Sequence, residues 1–221
     1  GRTLLKSIRK FLIFQLSVNV AAILVAFLGP FFGIDLPLTM TQLLWINIVM
    51  DTLAAFAFSG EAALNRYMRE KPTPMDASLV NNDMWSAILV NGITIAIMSL
   101  LFLTLEDISN LFPCDELRCG DPEVNPDYDS RAVLLTAFFG FFVFVNNFNK
   151  FNSRTEGINL FEHILENRNF IFVVILIFFL QTVFPYLGGE VLRTVGLTLT
   201  EWIYVIGFSM ICFCFFLGSF P

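Results

Sequence analysis

A carboxylate and an amide one helical turn apart, both inside an apolar stretch, are the residues best able to do chemistry. Asp51 lies in Leu43-Leu44-Trp45-Ile46-Asn47-Ile48-Val49-Met50-Asp51-Thr52-Leu53-Ala54. An ionisable side chain at the centre of a bilayer costs about 2.5–3.5 kcal/mol on insertion scales, so function is its default explanation. Asn47 precedes Asp51 by four residues, which puts both on one face of a helix. An amide oxygen and a carboxylate aimed at one guest suit a hard cation such as calcium. Two plainer readings compete: Asp51 paired to a basic group in the bundle, or Asp51 protonated and hydrogen-bonded. No Lys or Arg falls inside the apolar runs described next, so the first of these finds no partner on this chain.

The elements that must hold this pair read as membrane helices. The chain has 221 residues, 56% hydrophobic and 14% charged, with 27 phenylalanines. A soluble domain is about half apolar and about a quarter charged. The apolar residues cluster into six runs, at about 11–28, 40–58, 85–105, 132–148, 170–187 and 202–217. A helix rising roughly 1.5 Å per residue crosses the hydrocarbon core within such a run. The runs lack the alternation of barrel strands, which leaves helices. The expected fold is an all-α membrane protein, with residues 1–221 forming one transmembrane domain of six helices in a lipid bilayer.

Lys and Arg set the expected orientation. Arg2, Lys6, Arg9, Lys10, Arg66, Arg69, Lys71, Lys150, Arg154 and Arg168 fall on one side, against Arg118, Arg131 and Arg193 on the other. The richer side is cytoplasmic, so both termini of this multi-pass integral membrane chain are expected in the cytoplasm. Most of the acid gathers outside, including Glu106, Asp107, Asp115, Glu116, Asp121, Glu123, Asp127 and Asp129. Trp85 and Trp202 stand at run ends, as interface anchors do. The chain opens Gly1-Arg2 with neither an initiator Met nor a signal peptide, which suits a fragment or a processed piece.

The remaining polar residues read more plainly. Asn19, within the first run, either adds an oxygen to the same site or makes an interhelical hydrogen bond worth about 0.6–2 kcal/mol. Asn91-Gly92 suggests close helix packing. Asn146, Asn147 and Asn149 suggest capping and interface polarity, and Gln181 with Pro185 a packing bond and a kink. Cys114 and Cys119 form a local disulfide if their compartment is oxidising, and otherwise remain thiols. Cys212 and Cys214 read as apolar packing. Lys71-Pro72-Thr73-Pro74 is a stiff turn. Asp121, Glu123, Asp127 and Asp129 lack EF-hand spacing and read as a solvated acidic loop. The single histidine, His163, lies in a loop far from an acid–base partner.

Several function classes drop out. The sequence has no phosphate loop, dinucleotide fingerprint or nucleophile elbow. It has no zinc-type Cys/His spacing and no inverted repeat, and no basic, aromatic-laced patch that would make nucleic acid a partner. One Asp cannot neutralise a divalent cation in a low-dielectric site, and a buried ion left at a net positive charge is expensive. None of the other five runs supplies a central Asp or Glu. A calcium site at Asp51 is therefore expected to be completed by helices that are not on this chain.

These residues resemble a known family. Leu44-Trp45-Ile46-Asn47-Ile48-Val49-Met50-Asp51-Thr52-Leu53-Ala54 is similar to the sixth transmembrane helix of P-type calcium ATPases, most of all the plasma-membrane class. Gly1-Arg2 with Ile8-Arg9-Lys10-Phe11, then Phe14-Gln15-Leu16-Ser17-Val18-Asn19-Val20, resembles the stalk and fifth helix. Arg69-Glu70-Lys71-Pro72 resembles the loop that follows the sixth, and Phe148-Asn149 the end of the eighth. The resemblance covers essentially the whole chain and implies the last six helices of such a pump. By resemblance, Asn47 and Asp51 ligate the transported calcium. Ala22, Met50 and Val143 stand where two-calcium pumps have further ligands, so the resemblance implies one calcium per cycle and a packing or supporting role for Asn19.

The family's phosphorylated Asp motif, nucleotide-binding domain, actuator loop and fourth-helix Glu are not in these residues. The implied partner is the N-terminal half of the pump, through which ATP and Mg2+ would act. This chain by itself is expected neither to hydrolyse ATP nor to pump. Two other readings remain: a cation or proton transporter or channel independent of nucleotide, which would show flux without ATP, and a non-transporting membrane scaffold, in which Asp51→Asn would have no calcium phenotype.

Overall fold

The computed structural model describes residues 2–34, 36–59, 80–120, 129–154 and 167–219, and every regular element among them is helical. The Lys71–Pro74 turn, the Arg69–Pro72 element, Arg66, Asp121, Glu123, Asp127 and His163 lie outside the described residues. Helix α1 (Arg2–Leu28) passes into a single 3-10 turn, Gly29–Phe32, closed by Gly33 at a left-handed φ of 76°. Helix α2 (Met40–Trp45) opens with a capping box. Gln42 N–H donates to Thr39 Oγ1 at 3.3 Å, and Thr39 N–H donates to Gln42 Oε1 at 3.0 Å. The chain then widens into a π turn, Ile46–Met50, and continues as α3 (Asp51–Ser59). Helix α4 (Asn82–Thr104) starts at Asn81, whose Oδ1 accepts the Met84 N–H at 3.0 Å. Two single turns, Glu106–Ser109 and Glu116–Cys119, precede α5 (Ala132–Arg154), α6 (Arg168–Leu192) and α7 (Leu199–Ser219).

Five stretches are long and apolar enough to cross a membrane: Thr3–Phe32, Met40–Ser59, Asn82–Thr104, Ala132–Phe151 and Arg168–Gly189. The sixth expected run is also an apolar helix, but its stretch Leu199–Phe215 is shorter than these. The first and fourth runs extend past their expected limits of 11 and 148, because helices continue through residues whose charge marked them as loop.

Paired side chains fix the directions of the helices. Phe144 meets Phe178 at 4.5 Å and Phe151 meets Phe170 at 5.1 Å, so α5 and α6 are antiparallel. Gly140 faces Trp202, and Phe148 stacks on Phe213 at 5.3 Å, so α5 and α7 are parallel. Gln42 Nε2 donates to the Leu192 carbonyl at 2.9 Å, and Asn167 Nδ2 to the Ala57 carbonyl at 3.2 Å, which sets α2 and α3 antiparallel to α6. Helix α5 is the axis: 83% of its span is buried, against 33% to 44% in the other four. The outward faces carry Ile23, Phe27, Leu44, Ile48, Ile93 and Ile97, an apolar surface suited to lipid or to further helices.

The closest helix approach is at Gly92. A Cβ there would stand 2.7 Å from Val20 Cγ1 and 3.1 Å from the Ser17 carbonyl, so α1 and α4 touch backbone to side chain. Helix α6 contains Pro185 and breaks at Gly189, where φ is 38°. Gln181, one turn before Pro185, is buried, and neither of its side-chain polar atoms has a hydrogen-bond partner, so the expected packing bond is not made.

The end of the bundle away from the chain termini is tied by one arginine. Arg118 Nη1 donates to both carboxylate oxygens of Glu201 at 2.9 Å, and Nη2 donates to Asp115 Oδ2 at 2.6 Å and to the Pro113 carbonyl at 3.2 Å. Burial opposes its charge, but Asp115 and Glu201 outweigh burial and raise its pKa above the ordinary value. Glu201 also caps α7 by accepting the Thr198 N–H at 2.7 Å. Cys114 and Cys119 face each other in disulfide geometry, with Cα atoms 6.0 Å apart. Arg131 Nη1 donates to the Gly33 carbonyl at 3.0 Å and joins this region to the turn after α1.

Two outcomes follow for unfolding in detergent micelles. Gly92→Leu forces α1 and α4 apart and lowers stability by about 1–3 kcal/mol. Arg118→Met strands the buried Glu201 and costs about 3 kcal/mol or more, whereas Asp115→Ala, at an exposed partner, costs about 1 kcal/mol or less.

Candidate functional site

Asp51 opens α3 directly after the π turn. A π turn holds an extra residue per turn and commonly marks a functional position. Ile46, Ile48 and Val49 are β-branched and crowd an ordinary helical turn, which a wider one relieves. Ile46 and Met50 point into the core, each 1% exposed, while Leu44, Asn47 and Ile48 are exposed. Asp51 is half-buried between these two faces.

Gln15 on α1 holds the carboxylate: its Nε2 donates to Asp51 Oδ2 at 2.8 Å. A carboxylate offers about four lone-pair sites, so one donor leaves capacity for a cation. Asn19 is half-buried and lies one turn beyond Gln15 on the same face of α1. Asn47 lies one turn before Asp51, in the π turn that precedes α3. The structure thus brings Gln15 of α1 onto Asp51 of α3. Asn47 is exposed. Ala22, Met50 and Val143 are buried, at 8%, 1% and 1% exposure, and fill their positions with apolar packing.

Two site residues escape a reading of the sequence. Gln15 is a polar residue four positions before Asn19 in an apolar run, a spacing that marks one helix face. Lys150 is the larger omission, and it corrects the statement that no basic residue lies within a span. Helix α5 does not end at 148, and Lys150 falls inside the stretch Ala132–Phe151 with 0% exposure. Its Nζ donates to Asn147 Oδ1 at 3.2 Å and lies 5.2 Å from the centroid of the Phe14 ring. The signal was the phenylalanine stripe, since Phe144, Phe148 and Phe151 carry the apolar face past Lys150 at helical spacing.

Asn146, Asn147 and Asn149, expected as caps and interface polarity, are each 0% exposed in the interior. Asn147 Nδ2 donates to the Val174 carbonyl at 3.2 Å and Asn146 Nδ2 to the Phe142 carbonyl at 2.7 Å. Among the described residues, no group of three or more His, Cys, Asp or Glu side chains is placed to hold a metal ion. What this seam offers a cation is one carboxylate and amide oxygens, on a face open to further ligands.

Comparison with known proteins gives the family of the chain. A family described as "Cation transporting ATPase, C-terminus" matches residues 35–218. The chain is 32% identical over 212 residues to calcium-transporting ATPase 8, plasma membrane-type, of Arabidopsis thaliana, covering 96% of this chain and 19% of that protein. It is 34% identical over 207 residues to calcium-transporting ATPase 2, plasma membrane-type, of the same organism, covering 93% and 19%. Calcium-transporting ATPase 3, plasma membrane-type, of Oryza sativa subsp. japonica is 32% identical over 212 residues, with 96% and 19% covered. The chain thus spans about a fifth of the length of these relatives. It belongs to the cation-transporting ATPase family and corresponds to the C-terminal membrane part of plasma-membrane-type calcium-transporting ATPases.

Proposed function

We propose that this chain is the ion-site-bearing membrane part of an ATP-driven calcium export pump, with Asn47 and Asp51 ligating a single transported calcium. The observation that carries the reading is the seam itself. Asp51 follows a π turn and is steadied by Gln15, and Asn47 is exposed among the described residues. Further helices seated on that open face would bring the second carboxylate that charge balance requires. Asn19 supports the site from α1. The names of the relatives, all calcium-transporting ATPases of plasma-membrane type, favour calcium over other hard cations.

In the whole pump, ATP and Mg2+ act on domains outside these residues, and phosphorylation there biases two arrangements of the bundle. One arrangement presents Asn47 and Asp51 to the cytoplasm and the other releases calcium outward. The chain crosses the bilayer six times, with α7 as the last crossing and both termini cytoplasmic. The Cys114–Cys119 disulfide then forms on the outer side.

In the intact pump reconstituted in liposomes, Asp51→Asn and Asn47→Ala abolish ATP-driven calcium uptake while the protein still folds. Gln15→Leu keeps turnover but weakens apparent calcium affinity about 10–100-fold, as loss of a ligand-orienting hydrogen bond does. Native calcium uptake by Asp51→Asn would refute the assignment. The topology is checked with membrane-impermeant thiol reagents: Lys6→Cys reacts only from the cytoplasmic side and Asn110→Cys only from the outer side. The opposite pattern inverts the orientation.

A further inference from the structure

Gln42 is a buried amide, 2% exposed, with both of its polar ends bound to helix termini. Its Oε1 accepts the Thr39 N–H at 3.0 Å, which completes the capping box of α2. Its Nε2 donates to the Leu192 carbonyl at 2.9 Å. Leu192 is the last residue of α6, where carbonyls lack an intrahelical donor. A capping box needs only the acceptor at this position, and Glu serves it as well as Gln. The amide nitrogen of Gln42 is therefore free for a second task, which is to tie the start of α2 to the end of α6.

That end of α6 is fixed from other sides. Thr194 Oγ1 donates to the Pro185 carbonyl and the Thr194 N–H to the Gly189 carbonyl, both at 3.0 Å. The Val195 N–H donates to Thr136 Oγ1 of α5 at 3.1 Å. Tyr186 accepts from the Trp202 indole of α7 at 3.0 Å. A second tie runs to α2 from the same stretch, since Trp45 stacks on Phe184. Helix α2 is thus held at Gln42 and Trp45 by a segment anchored to α5 and α7. The π turn that contains Asn47 starts at the residue after Trp45, and Asp51 follows it.

We propose that Gln42 is a positioning residue for the calcium site: its hydrogen bond to Leu192 sets the register of the helix that carries Asn47 and Asp51 against α6. This rests on the reading of Asn47 and Asp51 as calcium ligands. A helix turns by about 100° per residue, so slippage of this tie swings Asp51 away from Gln15. The ties at Gln42 and Trp45 lie before the π turn and the Gln15 bond lies after it, so the turn is held from both sides.

ATP-driven calcium uptake by the intact pump in liposomes, measured against free calcium, tests this role. Gln42→Met keeps the length of the side chain and loses its hydrogen bonds. It weakens apparent calcium affinity about 10-fold at near-native maximal rate, as loss of a group that orients a ligand does. Phe184→Leu removes the other tie and weakens affinity in the same direction. Thr39→Ala removes the hydroxyl of the cap, leaves the Leu192 bond, and keeps native affinity. Native affinity in Gln42→Met, with or without a lower maximal rate, overturns the positioning role. An equal loss of affinity in Thr39→Ala also overturns it, by making the cap the cause. If Gln42→Met does not fold, native affinity in Phe184→Leu overturns it instead. Asp51→Asn is assayed alongside: native uptake there removes the ligand reading and the positioning role with it, whereas an inactive Asp51→Asn beside a native Gln42→Met removes the positioning role alone.

Discussion

A charge taken out of water needs an opposite charge or an array of dipoles, and the packing of α1, α3 and α5 meets that need for Asp51 and Lys150 together. Gln15 donates to the carboxylate, Asn147 accepts from the ammonium, and Phe14 lies under the latter. Each contact crosses between helices or holds a side chain at a crossing. The helices therefore cannot shift independently without stranding one of the two charges.

The opposite end of the bundle answers a different demand. There the chain must leave the helices and return, and the backbone groups freed at each helix end need partners. Arg118 ties its own loop, at Pro113 and Asp115, to Glu201 at the start of α7, while Glu201 also caps α7. Tyr186 donates to the Leu197 carbonyl and accepts from the Trp202 indole, 3.0 Å away, which joins the kinked end of α6 to the start of α7. One end is braced by polar contacts centred on the buried Glu201 and Trp202. The other places its charges within the helical packing, near the seam between α1 and α2–α3. A bundle braced at one end and electrostatically poised within is suited to rocking of its helices about the braced end.

Much of the architecture was legible in the sequence. The apolar runs could become only helices, because hydrocarbon offers no partner to a backbone N–H or C=O. Asp51 announced itself by its cost, and Asn47 by its spacing. Gly92 was readable as a close contact, and the structure sets it against Val20 and Ser17. Lys150 was not readable by the same rules, because a lysine near the end of an apolar run resembles an ordinary boundary residue. Its burial comes from α5 being surrounded by its neighbours on nearly all sides, which is a property of the assembly. The three asparagines beside it were misjudged for the same reason.

Composition and spacing determined that this chain is a helical membrane segment with a carboxylate and an amide set on one helix face, since both follow from local rules of solvation and periodicity. Only the tertiary structure decided which groups face that carboxylate. It placed Gln15 on Asp51, buried Lys150 beside Asn147 and the Phe14 ring, and left Asn47 exposed. These facts depend on how antiparallel helices are set against one another. Contacts between distant residues fix that arrangement, and no stretch of sequence carries them alone.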